Sequence, residues 1–203
     1  MLGNQADNHV HRALMSSTSF GTSITVRRGI EADAADLAEL ACRTFRETFA
    51  GDNRPEDLAL YLVQAYGTAQ QRAELANPEI TTLLVEVDGQ LVAYAQLRSG
   101  HVPQSVVGDS PLELWRFYVD RPWQGRGIAQ VLMARVQSEA HQRGGRTLWL
   151  GVWERNERGK AFYRKVGFAD VGSHVFMVGT DAQTDRILVQ PVSLEVPRSA
   201  PQE

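Results

Sequence analysis

The sequence is poor in cysteine and has no long run of apolar residues. Its single cysteine, Cys42, cannot form an internal disulfide or a cysteine-based metal cluster. The longest apolar runs span a few residues, such as 131–134, whereas a membrane-spanning helix needs about 18 or more. Residues 1–19 also lack the apolar core of a signal peptide. We therefore expect a protein of the reducing cytoplasm with no membrane partner.

The chain also lacks a strong excess of charge of either sign. It carries 21 Lys and Arg against 24 Asp and Glu, a formal net charge of -3. That balance argues against a protein that binds nucleic acid by neutralising phosphates. Apolar residues make up 43% of the 203 residues, which is sufficient for one hydrophobic core. An enzyme or a binding module is the class that remains.

The distribution of apolar residues predicts one domain between two polar tails. We place a flexible tail at residues 1–23, the domain at 24–190 and a second flexible tail at 191–203. The spacing of apolar residues predicts strands at 24–28, 81–87, 90–97, 112–119, 147–152, 168–178 and 185–189, and helices at 33–49, 55–66, 128–140 and 157–166. Gly67 and Pro78 bracket another short helical piece. Strands joined by crossover helices imply parallel pairing within a mixed α/β sheet.

The most informative segment is the loop at 119–129, which joins a predicted buried strand to an amphipathic helix. A helix that starts from a glycine-containing loop leaves several backbone N–H groups free beside the positive end of its dipole. Small residues at Gly125, Gly127 and Ala129 would let phosphate oxygens approach these groups. The loop therefore predicts a pyrophosphate site, although a flexible loop that simply precedes a helix has the same local pattern.

Two other phosphate-binding motifs do not fit the sequence. The dinucleotide fingerprint would need glycine at the position of Gln130. A Walker loop would need glycine at the position of Glu154 and serine or threonine after Lys160, where Ala161 stands. Both motifs are therefore excluded.

Four motifs follow one another in the part of the chain around the loop at 119–129: Glu113-Leu-Trp-Arg-Phe-Tyr-Val119, Gln124-x-x-Gly127-x-Ala129, Leu148-Trp-Leu-Gly-Val152 and Asn156-x-x-x-x-Ala161-Phe162-Tyr163-x-x-x-Gly167-Phe168. The second is similar to the signature Q/R-x-x-G-x-G/A, and together they resemble the GNAT superfamily of acyl-CoA-dependent N-acyltransferases. The resemblance covers roughly residues 24–190 and is most specific from 112 to 168. It implies a mixed, mostly antiparallel central sheet with helices on both faces and a splay between the fourth and fifth strands.

The same resemblance implies acetyl-CoA as co-substrate and no metal. The main chain of Phe117, Tyr118 and Val119 would bind the pantetheine arm as an added strand would, and Asn156 would hydrogen-bond the pantetheine. The backbone amides that would hold the pyrophosphate are those of Gln124, Gly125, Arg126, Gly127, Ile128 and Ala129. Gly159 departs from the alanine that the family usually has, at a cost of about 1 kcal/mol to its short helix.

Amine acetylation needs two proton transfers, and two residues are candidates for them. An ammonium must lose a proton before it attacks the thioester, and the departing thiolate should gain one. The resemblance implies that the Tyr163 hydroxyl points at the thioester sulfur, where a protonated phenol would be the acid. Glu113, a carboxylate on an otherwise apolar strand, is the candidate base, directly or through water.

Each of these two assignments has an alternative that stays open. Tyr163 could instead pack on a helix face. Glu113 could be the partner of Arg116 or of another cation, and a strand bulge would change its direction. For Cys42 we favour core packing, and for His174 a partner within a strand over a place in the cleft. No cluster of His, Asp and Glu has the spacing of a metal site.

Further stretches resemble the Pai branch of bacterial spermidine/spermine N-acetyltransferases. They are Thr44-Phe45-x-x-Thr48-Phe49, Asn53-x-Pro55-Glu56, 151–154 and 172–185. A polyamine site needs carboxylates and aromatic rings. The available candidates, each of which is otherwise a solvated surface group, are Glu47, Asp52, Glu56, Asp57, Tyr61 and Glu154.

We therefore predict an N-acetyltransferase that moves the acetyl group of acetyl-CoA directly to a primary amine, with a polyamine such as spermidine or spermine as the first choice. The alternatives are a protein N-terminus, an amino acid or an antibiotic amine as acceptor, or an acyl-CoA sensor without turnover. The presence of both Asn156 and Tyr163 favours catalysis. We expect no nucleic-acid partner, and a homodimer is compatible with the sequence.

Overall fold

The computed structural model describes residues 22–51, 53–178 and 181–192, so the predicted tails lie almost wholly outside the described part of the chain. Within these residues, seven strands form one sheet in the order β1-β2-β3-β4-β5-β7-β6. The strands are β1 (Ile24–Arg28), β2 (Ile80–Val87), β3 (Gln90–Arg98), β4 (Pro111–Val119), β5 (Thr147–Trp153), β6 (Ala169–Val178) and β7 (Asp181–Pro191). The helices are α1 (Ala34–Phe49), α2 (Pro55–Tyr66), α3 (Thr68–Ala76), α4 (Ile128–Gln142) and α5 (Glu157–Lys165).

β4 and β5 run parallel, whereas the other neighbouring strands of the described sheet are antiparallel. The parallel pairing joins only residues 111–113 to residues 147–149. Beyond them the two strands separate, because β4 continues beside β3 to Val119 and β5 continues beside β7 to Trp153. The predicted mixed sheet and the predicted splay between the fourth and fifth strands are confirmed.

A bulge at Trp115 interrupts the pairing of β4 with β3. Gln96 lies opposite Arg116 and Leu97 lies opposite Leu114, so Trp115 is the extra residue. A bulge of this kind bends the strand and re-aims its side chains. Past the bulge, residues 117–119 pair with β3 on one side and have no strand among the described residues on the other. Their outer main-chain edge is open to a ligand.

Helices cover both faces of the sheet. On one face, α4 packs Leu132 and Val136 into a core that Tyr163 of α5 also enters. On the other face, α1 and α2 pack Phe45 and Leu62 against the aromatic and aliphatic side chains of the sheet. No helix in the described ranges is both long and apolar enough to cross a membrane.

A buried polar network fixes α3 to β3 and β4. Arg116 Nη1 donates to Glu74 Oε2 at 2.5 Å and to Gln96 Oε1 at 2.7 Å. Gln96 Nε2 donates in turn to Thr82 Oγ1 at 3.2 Å. Because an unpaired charge in this position would be strongly destabilising, by about 3–5 kcal/mol, the network holds β4 firmly where it separates from β5.

Candidate active site

The separation of β4 from β5 opens a cleft of about 810 Å³ with walls from α1, α2, α5, the central strands and the loop before α4. Of the residues predicted to bind CoA or act in catalysis, the cleft is lined by Glu113, Phe117, Tyr118, Val119, Gln124, Gly125, Ala129, Asn156 and Tyr163. Arg126, Gly127 and Ile128 lie in the same loop and first turn of α4 without reaching the wall. The fold thus brings three separate sequence segments to one cleft.

The N-terminus of α4 is built to accept an anion. Gly127 is its N-cap residue, with a φ of 85°, and no side chain caps the helix. Gly125 also has a positive φ, 78°, and a Cβ at either glycine would meet nothing within 4 Å. The first turn of α4 contains no acidic residue. Free amides, the helix dipole and open space together favour a phosphate group.

Gln124 links this loop to two neighbouring elements. Its Nε2 donates to the carbonyl oxygen of Val119 at 2.8 Å, at the end of β4. Its Oε1 accepts from Arg158 Nη1 of α5 at 2.5 Å. The side chain therefore holds the loop in position, while the predicted contact with pyrophosphate would use only its main chain.

Asn156 caps α5 and explains an unusual glycine. Its Oδ1 accepts from the backbone amide of Gly159 at 2.8 Å, which leaves the Nδ2 donor for a ligand in the cleft. A Cβ at position 159 would lie only 2.8 to 3.0 Å from atoms of the Asn156 side chain. Gly159, the departure from the family pattern, therefore makes room for this cap.

Tyr163 sits in an aromatic cluster at the edge of the cleft. Its ring contacts those of Phe117, Phe162 and Phe168, with centroids 5.5 to 6.2 Å apart. Burial raises the pKa of its hydroxyl well above the usual value, because the phenolate would be desolvated. The phenol therefore stays protonated at neutral pH, as a proton donor requires.

Glu113 is paired with a cation, as one of its two predicted roles required. The cation is Arg98 of the neighbouring strand, whose Nε and Nη2 donate to the two carboxylate oxygens at 2.5 and 3.2 Å. The Arg98 guanidinium also lies 3.9 Å from the ring centroid of Trp115. Arg116, the partner named from the sequence, is instead bound to Glu74. The assignment of Glu113 as the base stays a prediction.

The structure adds an Asp–His pair that sequence reasoning did not assign to catalysis. Asp185 of β7 lies opposite His174 of β6 and Trp153 of β5, and both members of the pair line the cleft. Asp185 Oδ2 is 3.7 Å from His174 Nε2. His174 therefore has both of the roles considered from the sequence, a partner across the strands and a place in the cleft. The sequence signal that was missed is Gly151, an isolated glycine within β5, because such a glycine often marks a place where another group approaches the strand closely.

One part of the cleft wall comes from α1, α2 and the strands β5, β6 and β7. Among the residues proposed from the sequence for a polyamine, Glu47 and Tyr61 line the cleft, whereas Glu56, Asp57 and Glu154 do not. Asp52 lies outside the described residues. Aromatic rings of α1, α2 and β5 complete this wall: Phe45, Phe49, Tyr61 and Trp153.

Among the described residues, the cleft contains no cluster of metal ligands and Cys42 is not part of its wall. The described residues contain no group of three or more His, Cys, Asp or Glu side chains that could hold a metal ion. Cys42 is half-buried beside the α1–α2 core, and its Sγ lies 3.7 Å from the Tyr66 carbonyl oxygen. Burial raises the pKa of the Cys42 thiol, which makes it a poor nucleophile.

A splayed strand pair, an open strand edge and a free helix N-terminus beside the splay are the features that the resemblance to acyl-CoA-dependent acyltransferases implies. The acetyltransferase (GNAT) family matches residues 35–168, more than half of the chain, and the chain belongs to this family.

Comparison with individual proteins of similar sequence or fold supports this assignment. An uncharacterized N-acetyltransferase of Lactobacillus delbrueckii subsp. lactis is 32% identical over 167 residues, 82% of this chain and 96% of that protein. An aminoglycoside N(6')-acetyltransferase type 1 of Stenotrophomonas maltophilia is 28% identical over 155 residues, 75% of this chain and 90% of that protein. The crystal structure of a PaiA N-acetyltransferase of Thermoplasma acidophilum, in complex with coenzyme A, covers 83% of this chain and 99% of that chain. The TM-score is 0.68 and the sequence identity is 21%, so the similarity is one of fold. The protein is therefore an acetyl-CoA-dependent N-acetyltransferase.

We predict that Gly127→Asp abolishes acetyl-CoA binding, because it adds bulk and negative charge where the pyrophosphate would meet the amides of α4. The matched control is Gly144→Asp, since Gly144 has a positive φ of 78° and open space but lies beyond the other end of the helix. Calorimetric titration with acetyl-CoA measures both variants, and circular dichroism checks their folding. An unchanged affinity in Gly127→Asp, or an equal loss in both variants, would contradict the pyrophosphate assignment.

Proposed function

We propose that the acceptor is a small polycationic amine of the polyamine class, such as spermidine or spermine. The observation that carries the proposal is the distribution of charge along the cleft. At the acceptor end, the carboxylates of Glu47 and Asp185 accompany a wall of aromatic rings. Arg98 and Arg116, which also line the cleft, are each neutralised by a bound carboxylate. Carboxylates beside aromatic faces are the environment that ammonium groups prefer.

The opposite end of the cleft suits the phosphates of CoA. Arg121 and Arg158 line it beside the loop at 124–127, and the amides at the N-terminus of α4 add partial positive charge. In this proposal the open edge of residues 117–119 pairs with the pantetheine arm, and Asn156 Nδ2 donates a further hydrogen bond to it. The thioester then lies where β4 and β5 separate, between the two ends.

The stretches that resemble the polyamine branch meet in one wall of the cleft, which supports the proposal. Gln183 Nε2 of β7 donates to Asn53 Oδ1 at 2.6 Å, and Asn53 Nδ2 donates to the Phe49 carbonyl oxygen at 2.9 Å. Both polar side chains are buried. Phe49 in turn packs on Trp153, with ring centroids 5.5 Å apart. These contacts join α1, β5 and β7 around the space proposed for the acceptor.

In the proposed reaction the deprotonated amine attacks the carbonyl carbon of the thioester directly. The tetrahedral intermediate collapses as the C–S bond breaks, and the Tyr163 hydroxyl protonates the departing sulfur. Burial among aromatic rings keeps the Tyr163 phenol protonated until the sulfur departs, because desolvation disfavours the phenolate.

An aminoglycoside is the second candidate acceptor, because the Stenotrophomonas maltophilia relative is named for that activity and covers most of this chain. An aminoglycoside also carries several ammonium groups, so the same carboxylates and rings would bind it. The two candidates differ in shape, since a polyamine is a thin flexible chain and an aminoglycoside is a set of linked rings.

We predict that Tyr163→Phe lowers kcat about 10²–10⁴-fold and leaves acetyl-CoA affinity roughly unchanged, because it removes the proton donor and keeps the ring. Tyr94→Phe is the matched control, since Tyr94 is a fully buried tyrosine outside the cleft wall. Steady-state kinetics with thiol detection and calorimetric titration supply the two readouts. A decrease in kcat of less than threefold in Tyr163→Phe would show that the Tyr163 ring only packs in the core and that its hydroxyl is not the proton donor.

We predict that spermine or spermidine has a higher kcat/KM than an aminoglycoside, a peptide with a free N-terminus or an amino acid. Glu47→Gln should raise KM for spermine about 2–5-fold, the effect of a partly solvated charge pair of about 0.5–1 kcal/mol. The control is Glu39→Gln, because Glu39 is an exposed glutamate of the same helix outside the cleft. Added salt should raise KM for spermine more than KM for a monoamine.

The amine panel also separates the alternatives. Faster acetylation of the aminoglycoside would favour the second candidate, and faster acetylation of the peptide or the amino acid would contradict a polycationic acceptor. Acetyl-CoA binding without acetylation of any amine would identify an acyl-CoA sensor.

A further inference from the structure

A missing side chain on β5 makes room for the Asp185–His174 pair. A Cβ at Gly151 would lie 3.1 Å from Asp185 Oδ2 and 3.1 Å from His174 Nε2. These distances are tighter than ordinary van der Waals contact, so a larger residue would displace both side chains. The pair therefore occupies the face of β5 that carries Trp153, toward α1 and α2. This face is the acceptor side of the cleft.

The two members of the pair differ in their access to solvent. The Asp185 side chain is only 14% exposed, whereas the His174 side chain is 38% exposed. Burial raises the pKa of Asp185 to about 6, and the nearby His174 partly opposes that shift. A carboxylate with this pKa is ionised at neutral pH and is a stronger base than an ordinary aspartate.

The charged groups around Asp185 leave it free to accept a proton. His174 faces it from β6, Tyr61 interacts with it from α2, and Glu47 lines the same end of the cleft from α1. The arginines of β3 and β4 that line the cleft, Arg98 and Arg116, are bound to Glu113 and Glu74. Asp185 therefore has a histidine as its neighbour where Glu113 has a guanidinium.

We propose that Asp185 is the group that deprotonates the acceptor ammonium, and that His174 positions this carboxylate and relays the proton to solvent. In this step one N–H bond of the ammonium breaks and an O–H bond forms on Asp185. The freed lone pair attacks the thioester carbon. When the C–S bond breaks, sulfur gains a proton from Tyr163, and the proton that the nitrogen loses on forming the amide restores the tyrosine.

Asp185 fits this role better than Glu113 does. Both oxygens of Glu113 accept hydrogen bonds from the Arg98 guanidinium, and a proton arriving there would have to displace that cation. His174 approaches the Asp185 carboxylate through a single contact, Nε2 to Oδ2 at 3.7 Å, so the carboxylate keeps lone pairs for substrate. The proposal depends on amine acetylation but not on the polyamine as acceptor.

The test is the pH dependence of kcat/KM for Asp185→Asn, measured with whichever amine of the panel has the highest kcat/KM. In the unchanged enzyme, kcat/KM should rise with pH to a plateau above about 6, because ionised Asp185 then accepts the proton of the bound ammonium. In Asp185→Asn, kcat/KM should fall about 10²–10⁴-fold at pH 7. The kcat/KM of Asp185→Asn should keep rising above pH 6, up to the pKa of the amine, because only the free amine can react in this variant.

Three variants make the result specific to the proposed step. Asp170→Asn is the matched control, since Asp170 is a β6 carboxylate paired with Arg186 outside the cleft, and its profile should be unchanged. His174→Gln should lower kcat with a smaller change in KM. Gly151→Ala, which keeps both side chains but crowds them, should also lower kcat, so the test does not depend on the folding of Asp185→Asn alone.

Two results would overturn the proposal. The first is an Asp185→Asn enzyme that keeps the inflection near pH 6 and changes only in KM, which would make Asp185 a substrate-binding group. The second is loss of that inflection in Glu113→Gln but not in Asp185→Asn, which would assign the base to Glu113. Failure of the polyamine proposal would appear separately, because an amine other than spermine or spermidine would then have the highest kcat/KM.

Discussion

The short parallel contact between β4 and β5 is the constraint on which the rest of the site depends. The strands are joined over residues 111–113 and 147–149 and then separate, each guided by its other neighbour. The bulge at Trp115 and the buried Arg116–Glu74 pair fix β4 at the point of separation. If the parallel pairing continued to Val119, the main-chain edge proposed for pantetheine would be occupied and the cleft would close.

The two ends of the cleft are built from different chemistry. The end proposed for CoA consists largely of backbone: an open strand edge and the free amides that precede α4, exposed by Gly125 and Gly127. The end proposed for the acceptor consists of side chains, with aromatic rings from α1 and α2 and the Asp185–His174 pair from β7 and β6. A common cofactor can therefore be held by local geometry, while the identity of the amine depends on residues distant in sequence.

This difference explains how much of the molecule could be predicted from its sequence. The loop before α4 is a local feature, so spacing along the chain was sufficient to locate it. The Asn156–Gly159 cap is also local but was not predicted, because Asn156 was expected only to bind pantetheine and Gly159 only to weaken its helix. The splay followed from the family resemblance and is confirmed. The spacing of apolar residues places Val131 with Ile128, Leu132 and Val136 on one face of α4, but Val131 is 40% exposed because it lies at the edge of that stripe.

The long-range contacts could not be predicted in the same way. The partner of Glu113 depends on the register of β3 against β4, and the bulge at Trp115 places Arg98 beside it. The meeting of Asp185 with His174 depends on a strand pairing in which β7 begins at Asp181, four residues before its predicted start. Because the predicted strand began only at residue 185, its pairing with β6 was not anticipated, and Asp185 was assigned to no catalytic role.

The most direct test of the account is a crystal structure with a bisubstrate analogue, in which the sulfur of CoA is joined through an acetyl group to a terminal nitrogen of spermine. The account predicts pyrophosphate oxygens within hydrogen-bond distance of amides in residues 125–129. It also predicts the linked nitrogen at the separation of β4 and β5, with its N–H directed to Asp185 and the polyamine chain along the wall formed by Phe45 and Trp153. A pyrophosphate bound away from the start of α4, or a linked nitrogen directed to Glu113 and away from Asp185, would contradict it.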